Sequence, residues 1–310
     1  MANAVSAFWQ TVVAATVDAA QLLAPSHQAS EAVYMDYSPE EAAIGQTLNV
    51  PIPGDPSGQV VDVGVGDLPI SDVAWSTQAI VFNHHPGWSG VFRDFEQYNS
   101  PIRLRNAFLD SAIKGIENYV NNLITSLFTT ANFTSNTAIS ATAHIITTAQ
   151  ASQGLTVLSD RFVPVRDNPE NMSLLTPSSP YYAIVTDSNW TYAQTAGAVT
   201  AEAVRRTGGM PIAYGLNLRL DQQMPVSGTA PSRTFTAALL HRWAIAMAVR
   251  PLATPETTVV EVMMFNFAGI PIRIMLGYNH IKLGFVLSVD CGFGLKVVRE
   301  NMCQLYSIAE

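Results

Sequence analysis

The sequence predicts an α+β fold in which one long helix lies over an antiparallel set of strands. Three observations point to it. Ser100-Pro101 opens a run to about Thr129 that carries a continuous apolar stripe. Four apolar stretches follow one another from Val259 to Val298, separated by Gly-containing turns. Between Thr47 and Phe82, alternating segments flank a Gly/Pro-rich tip.

In chain order, Ala4–Ala24 reads as a helix, with Val5, Phe8, Trp9, Val12, Val13, Val17 and Leu23 on one apolar face and Pro25 ending it. Such a helix packs either on its own domain or, as an arm, on a neighbouring subunit. Residues 26–47 are irregular and acidic. Thr47–Pro53 alternates as a strand, Gly54-Asp55-Pro56-Ser57-Gly58 is a turn signal, and Gln59–Val65 and Ala74–Phe82 are extended again. A ribbon of this kind has little core of its own and should lie on something, within the subunit or across a neighbour.

Ser100 as N-cap and Pro101 at the first helical position then begin the longest helix. Leu109, Ile113, Ile116, Val120, Leu123 and Leu127 form its stripe, with Phe108, Ala112, Tyr119, Ile124 and Phe128 on the flank. At 1.5 Å per residue it extends about 40 Å, a backbone on which other elements can be laid. Gly115 inside it marks a close helix–strand contact. In the Thr/Ser/Asn/Gln-rich middle, Ser140–Ala151 and Tyr192–Arg206 are predicted helices, Tyr181–Thr186 and Ile212–Leu220 strands, and Asp160–Pro180 mostly loop. Phe235–Val249 is a helix or a buried extended element. Val259–Phe267, Ile270–Tyr278, Lys282–Val289 and Leu295–Val298 are strands, with Gly292-Phe293-Gly294 a turn. The long helix is the expected cover for this last set, with 150–235 inserted as a separate lobe.

Composition narrows the function. Charged residues make up 13% of the 310-residue chain, against about 25% in ordinary globular proteins. Lys114, Lys282 and Lys296 are the only lysines. Residues 1–92 hold nine acids and no Lys or Arg, for a net −9, whereas residues 93–310 sum to +1. A sequence-nonspecific nucleic-acid binder needs clustered cations and is disfavoured. The low charge implies a surface covered by partners or hydrated by Ser, Thr, Asn and Gln. Cys291 and Cys303 permit one bridge and no metal motif. Met1–Gln10 lacks the positive n-region of a signal peptide, and no segment offers about 20 uninterrupted apolar residues. The chain is expected to be soluble, intracellular at synthesis and free of membrane.

Catalytic chemistry finds little support. Adjacent His84 and His85 on extended backbone point to opposite sides, so they do not share an ion, and read as ordinary loop or surface histidines despite Asp94 and Glu96 nearby. His241, inside an apolar run, reads as a satisfied core or interface histidine. There is no P-loop, no dinucleotide-binding glycine fingerprint, no H-E-x-x-H and no nucleophile elbow. Cys291 has no partnered histidine. No enzyme, cofactor or metal is predicted.

The order of segments carries a resemblance. It begins with the amphipathic Ala7–Leu23 and the Ile44-Gly45-Gln46-Thr47-Leu48-Asn49-Val50-Pro51 entry to a hairpin, followed by the Ser100–Thr129 helix. Then come Gly208-Gly209-Met210-Pro211-Ile212-Ala213-Tyr214-Gly215, the run from Leu240-His241-Arg242-Trp243 to Arg250-Pro251-Leu252, Gly269-Ile270-Pro271-Ile272-Arg273-Ile274 and Asp290–Val298. In this order the chain resembles the major capsid (coat) proteins of tailed bacteriophages, in the compact branch without a large inserted domain. The resemblance implies an N-terminal arm (1–47) and an extended β-hairpin loop (48–84). It implies a peripheral domain (85–150) with a spine helix at 101–129, an axial domain (151–235), and a return through 236–310 into both domains. It implies a virion structural protein, made in the bacterial host cytoplasm. Copies would associate as pentamers and hexamers into an icosahedral head around double-stranded DNA held without sequence-specific binding. A portal, a separate scaffolding protein and a cement protein are the implied further partners. Some members lock their shells with lysine–asparagine isopeptide bonds, but the loop at 48–84 has no lysine to supply one.

The charge split adds an expectation. The acidic arm and loop, with Phe8, Trp9, Val12, Asp55, Asp62 and Asp67, meet arginines of a neighbour, of which Arg93, Arg103, Arg105, Arg205 and Arg206 are the candidates. Arg103 and Arg105 sit at the positive end of the long helix, where cations stabilise it poorly and an external partner is favoured. The competing readings are an encapsulin-like bacterial compartment, which would need an inner-wall cargo site that no motif here supplies, and a β-rich virion decoration or tail protein. A hydrolase using His84, His85 or His241 is a third.

Overall fold

Pro101 opens the longest helix, and the spacing of its aliphatic residues decides how it lies. In a computed structural model, which describes residues 29–35, 47–53, 75–93, 101–133, 138–141, 144–165, 171–191, 212–254, 260–267 and 269–310, this helix, α1, spans Pro101–Ser126. Leu109, Ala112, Ile113, Ile116, Val120 and Ile124 are buried along it. The predicted stripe is realised with Ile124 in place of Leu123, because steps of four, three, four and four residues keep one face turned inward. The predicted helices at 4–24 and 192–206 and the strand at 59–65 lie outside the described residues.

Strands β1 (Thr47–Pro53) and β2 (Trp75–Val81) form an antiparallel ribbon with Thr47 opposite Val81. Strand β3 (Gly87–Arg93) follows, then α1, β4 (Ile139–Ala141), α2 (Thr148–Asp160), β5 (Met172–Thr176), α3 (Ser178–Thr186) and α4 (Ser188–Thr191). The remaining strands are β6 (Ile212–Ala213), β7 (Leu216–Leu220), β8 (Val226–Ser227), β9 (Thr234–His241), β10 (Ile245–Arg250), β11 (Val260–Phe267), β12 (Ile270–Asn279), β13 (Gly284–Val297) and β14 (Cys303–Ala309). They make two sheets. The first is ordered β10-β13-β12-β11, with β3 paired to the first half of β13. The second is ordered β4-β14-β9-β5-β7-β6, with β8 on β9. One continuous apolar core joins both sheets, α1 and α2.

Helix α1 packs on β3 and β13, as an amphipathic helix over a half-apolar sheet should. The contact is close because glycines face it from both sides. A Cβ on Gly115 would stand 3.1 Å from the Trp88 ring, and one on Gly90 would stand 2.7 Å from the Phe108 ring. The helix–strand approach expected at Gly115 is therefore present, against β3.

Several local expectations are corrected. Phe235–Val249, left open between helix and extended element, is two strands, β9 and β10, broken by a 3-10 turn at Arg242–Ala244. Tyr181–Thr186 is not a strand but part of α3. Pro180 lies in its first turn and Pro180, Tyr181 and Ile184 face the core, so packing overrides the β-preference of Ile184-Val185-Thr186. Ser140–Ala151 is not one helix. Its start pairs with β14 as β4, and α2 begins after Thr147, whose side chain and Gln150 form a reciprocal capping box. The expected loop at 160–180 contains β5, buried at all five positions. Ile212–Leu220 folds back on itself as β6 and β7 around Tyr214-Gly215, both at positive φ. Lys282–Val289 and Leu295–Val298 are one strand, and Gly292-Phe293-Gly294 lies inside it rather than in a turn. Strands β3 and β14 were not predicted.

Candidate functional site

The ribbon β1–β2 is held only at its root among the described residues. Leu48 and Ile80 are buried against Ala246 and Ala248 of β10, with Val50, Phe82 and Val298 around them. The seat requires β13 to come very near the end of β2. A Cβ on Gly294 would lie 2.4 Å from the Val81 carbonyl oxygen, so only glycine permits the approach. Just beyond, the His84 and Phe293 backbones exchange both hydrogen bonds, at 3.2 and 3.0 Å.

The two histidines flank this root on opposite sides, as their adjacency predicts; His85 is exposed, as expected of a surface histidine, whereas His84 is packed. The His84 ring stacks on Phe293 at 5.3 Å and meets the edge of Tyr119 from α1. Burial there lowers the His84 pKa. His85 Nε2 lies 3.1 Å from Asp290 Oδ2. Arg273 from β12 closes on the same carboxylate with both arms, Nε to Oδ1 at 2.9 Å and Nη2 to Oδ2 at 2.6 Å. Burial works to raise the Asp290 pKa, but the hydrogen bonds from Arg273 and His85 outweigh it and hold the carboxyl below its usual range.

His84 gives the root a pH dependence of definite sign. A histidine whose folded pKa is depressed binds its proton more readily in the unfolded chain, so stability is lost as pH falls below about 6.5. Replacing His84 by Phe keeps an aromatic ring on Phe293 and removes the titration. The Tm of the wild type should therefore fall more steeply than that of His84→Phe between pH 6.5 and pH 5, as read by circular dichroism. Parallel Tm–pH curves would contradict this.

A second joint ties residues 29–35 to the body. Asp221, fully buried at the end of β7, accepts the Ala29 N–H at 3.0 Å on Oδ2, and Asn121 Nδ2 at 3.0 Å and the Gln223 N–H at 2.8 Å on Oδ1. One carboxylate thus links the N-terminal segment, α1 and the second sheet. Glu31 pairs with Arg219 of β7. Tyr34 pairs in parallel along β10, donating to the Ile245 carbonyl and accepting from the Met247 N–H, under the Arg242 guanidinium at 5.4 Å.

Of the predicted contact residues, Phe8, Trp9, Val12, Asp55, Asp62, Asp67, Arg205 and Arg206 lie outside the described residues. Arg103 and Arg105 fall in the first turns of α1. Arg93 is exposed and ends β3 opposite Gly284. The joint residues Asp221, Asn121, Asp290, Arg273 and Gly294 had no sequence signal, because each partner is distant along the chain.

The described residues assemble no catalytic constellation. His241 is buried, and its Nδ1 accepts the Trp243 N–H, as a satisfied core histidine does. Cys291 and Cys303 are free and buried. Burial and the adjacent Asp290 push the Cys291 thiol up to about 12, and burial raises Cys303 as well, so neither offers a thiolate at neutral pH. No group of His, Cys, Asp and Glu suited to a metal occurs among the described residues. A cleft of about 460 Å³ between β4 and α2 includes Ser140, Gln153, Arg161 and Gln304 in its lining, with no acid or histidine to activate the serine. No described helix is long and apolar enough to cross a membrane.

No family model and no curated protein sequence matches the chain. Solved structures do. A structure from Mycobacterium phage Che8 superposes with a TM-score of 0.57 at 12% identity, covering 90% of each chain. The capsid structure of cyanophage P-SCSP1u gives 0.59 at 10% identity, covering 90% of this chain and 86% of that one. The capsid of a native GTA particle gives 0.54 at 12% identity, covering 93% and 92%. Near-complete coverage in both directions at such low identity means that the path of the chain is shared while the side chains have diverged. The protein has the tailed-phage major capsid protein fold.

Proposed function

We propose that this chain is the shell subunit of a tailed-phage head, associating with copies of itself in rings of five and six to close an icosahedral container around double-stranded DNA. The observation that carries the reading is the fold, matched over about nine-tenths of both chains to capsid structures. The ribbon supports it, since only its root is packed among the described residues, and a two-stranded ribbon is marginal without a further surface. The GTA neighbour is the capsid of a native particle computed with C5 symmetry, which supports self-association here. The role is structural, and its location is the virion head.

Within this reading, residues 1–47 are the arm, 48–84 the loop reaching a neighbour, and 85–150 the peripheral domain. Residues 151–235 form the axial domain, and 236–310 return through both. A portal and a separate scaffolding protein complete assembly, and reinforcement comes from non-covalent packing or a cement protein, because the lysine-free loop offers no crosslink. DNA is held by confinement, which suits a chain this poor in cations: a strongly basic wall would retain the genome. An encapsulin-like compartment and a decoration protein lack any comparable observation.

The acidic 1–92 stretch meets arginines of the neighbour, among them Arg103 and Arg105, and such pairs set orientation more than net affinity. Reversing both to Glu should lower the yield of fast-sedimenting particles from expressing cells by about tenfold. Density-gradient sedimentation reads the result. Particles at undiminished yield would remove these arginines from the account.

A further inference from the structure

Phe162 stands where neither its backbone nor its surroundings favour it. Helix α2 closes with the Val163 N–H donating to the Leu158 carbonyl at 3.1 Å and the Phe162 N–H to the Ser159 carbonyl at 2.9 Å. That cap puts Phe162 at φ +58°, the left-handed position that glycine most often fills. Leu158 and Val163 are buried and anchor the cap, whereas Phe162 is 91% exposed. The ring gains almost nothing from the core and costs backbone strain, so its use lies in a contact with something other than this core.

Directly before Phe162 stands Arg161, and with it the cleft between β4 and α2. Among the residues lining that cleft, Arg161 is the one cation and none is acidic. Asp160 is exposed and no part of the lining. Beside the guanidinium lie the side-chain amides of Gln153 and Gln304 and the Ser140 hydroxyl, with Ile139 and Val157 as apolar wall. Gln304 is 1% exposed and its Nε2 donates to the Leu305 carbonyl at 3.0 Å, while Gln150 Nε2 holds the Ser140 carbonyl at 3.0 Å. The lining is therefore set in advance of a ligand, which lowers the entropy lost on binding.

This chemistry selects a carboxylate. A guanidinium fork meets a carboxylate with two parallel hydrogen bonds, and one positive charge balances one negative. A phosphate monoester carries nearly two charges, and a nucleic-acid strand brings a row of them, which one cation does not answer. Amides and a hydroxyl suit peptide groups, and the aliphatic wall with the Phe162 ring suits an apolar side chain. The cleft's 460 Å³ falls in the range of small organic ligand sites, roughly 300–1,000 Å³.

We propose that the cleft between β4 and α2 is a binding site for a peptide carboxylate, with Arg161 holding the carboxylate and Phe162 covering the apolar side chain beside it. The inference goes beyond the shell reading and does not depend on it.

Ligand-observed saturation-transfer NMR on the full-length chain tests it with two probe pairs. Acetyl-Ala-Ala-Phe with a free C-terminal carboxylate is compared with its C-terminal amide, and acetyl-Ala-Glu-Phe amide with acetyl-Ala-Gln-Phe amide. In at least one pair the carboxylate should bind with a Kd of about 1 mM or below, and its uncharged partner at least about tenfold more weakly. The discriminating pair tells a chain terminus from an acidic side chain as the source. No binding of either carboxylate at about 10 mM, equal binding within both pairs, or tighter binding of inorganic phosphate overturns the proposal. Arg161→Gln should weaken the carboxylate probe about tenfold and leave its uncharged partner unchanged. Undiminished carboxylate binding in that variant removes the anchor and the proposal with it. Phe162→Gly separates binding from structure: it should raise the Tm by about 2 °C by relieving the cap, yet weaken the carboxylate probe about fivefold. A lowered Tm or an unaltered affinity would overturn the role given to Phe162.

Discussion

Asp221→Ala is expected to destabilise the subunit by about 3–5 kcal/mol, because it leaves buried donors without an acceptor. The Ala29 and Gln223 N–H groups lose their partner outright. Asn121 Nδ2 keeps its contact with Gln223 Oε1 at 3.1 Å. Each unsatisfied buried donor costs about 1–3 kcal/mol, and Asp221 is fully buried. Asp221→Asn is nearly isosteric yet turns one oxygen into a donor, facing either the Ala29 N–H or the Asn121 amide. It should therefore recover only part of the loss. Urea unfolding of both variants reads the order, wild type above Asn above Ala. An alanine variant within about 1 kcal/mol of wild type would mean that the three segments do not depend on this carboxylate.

The second large effect separates folding from assembly. In Gly294→Val, the Cβ would stand 2.4 Å from the Val81 carbonyl oxygen and 3.0 Å from Ile80 Cγ2. Backbone cannot yield there without lifting β2 from β13, so the ribbon is expected to leave its seat. The ribbon is rooted on β10 and β13 at Ala246, Ala248, Gly294 and Val298, and the strand pairings of the two sheets are made without it. The variant should keep the wild-type far-ultraviolet spectrum and a cooperative transition, while particle yield falls by about a hundredfold, to the level of a subunit without its reaching element. Wild-type particle yield would detach the ribbon from assembly.

Much of this architecture was legible because its signals are local. Ser100-Pro101 and the three- and four-residue spacing of Leu109, Ile113, Ile116 and Val120 place α1 without any tertiary information. The Thr47–Pro53 strand was marked by alternation and by the Gly/Pro turn that follows it. Sequence reasoning failed where distant residues decide. Gly292 and Gly294 look like a turn, but they sit in a central strand because Leu252 and Val81 press against it. Cys303–Ala309 follows no turn signal that would isolate it, yet it is a strand because β9 and β4 lie on either side. The β-branched end of α3 is helical because Tyr181 and Ile184 reach the core from one face. Likewise the joint at Asp221 draws on Ala29, Asn121 and Gln223, and no spacing rule connects those positions.

The contact residues show the same division. The charge split between residues 1–92 and the rest is a fact of sequence and singled out an acidic segment, set against a near-neutral remainder that holds every arginine. It said nothing of the exposed side chains of Ile281 and Leu283. Their exposure follows from the Asn279 turn, which exists only once β12 and β13 pair.

The central claim is that the chain closes into shells. Its most direct test is electron cryo-microscopy of the full-length protein purified after expression in bacterial cells, alone and with a phage scaffolding protein. The account predicts angular, closed particles whose reconstruction shows rings of five and six copies, with this subunit's two sheets and long helix in each position. A protein that stays monomeric across salt conditions and with scaffolding present, or that builds only open tubes or small rings, would contradict it.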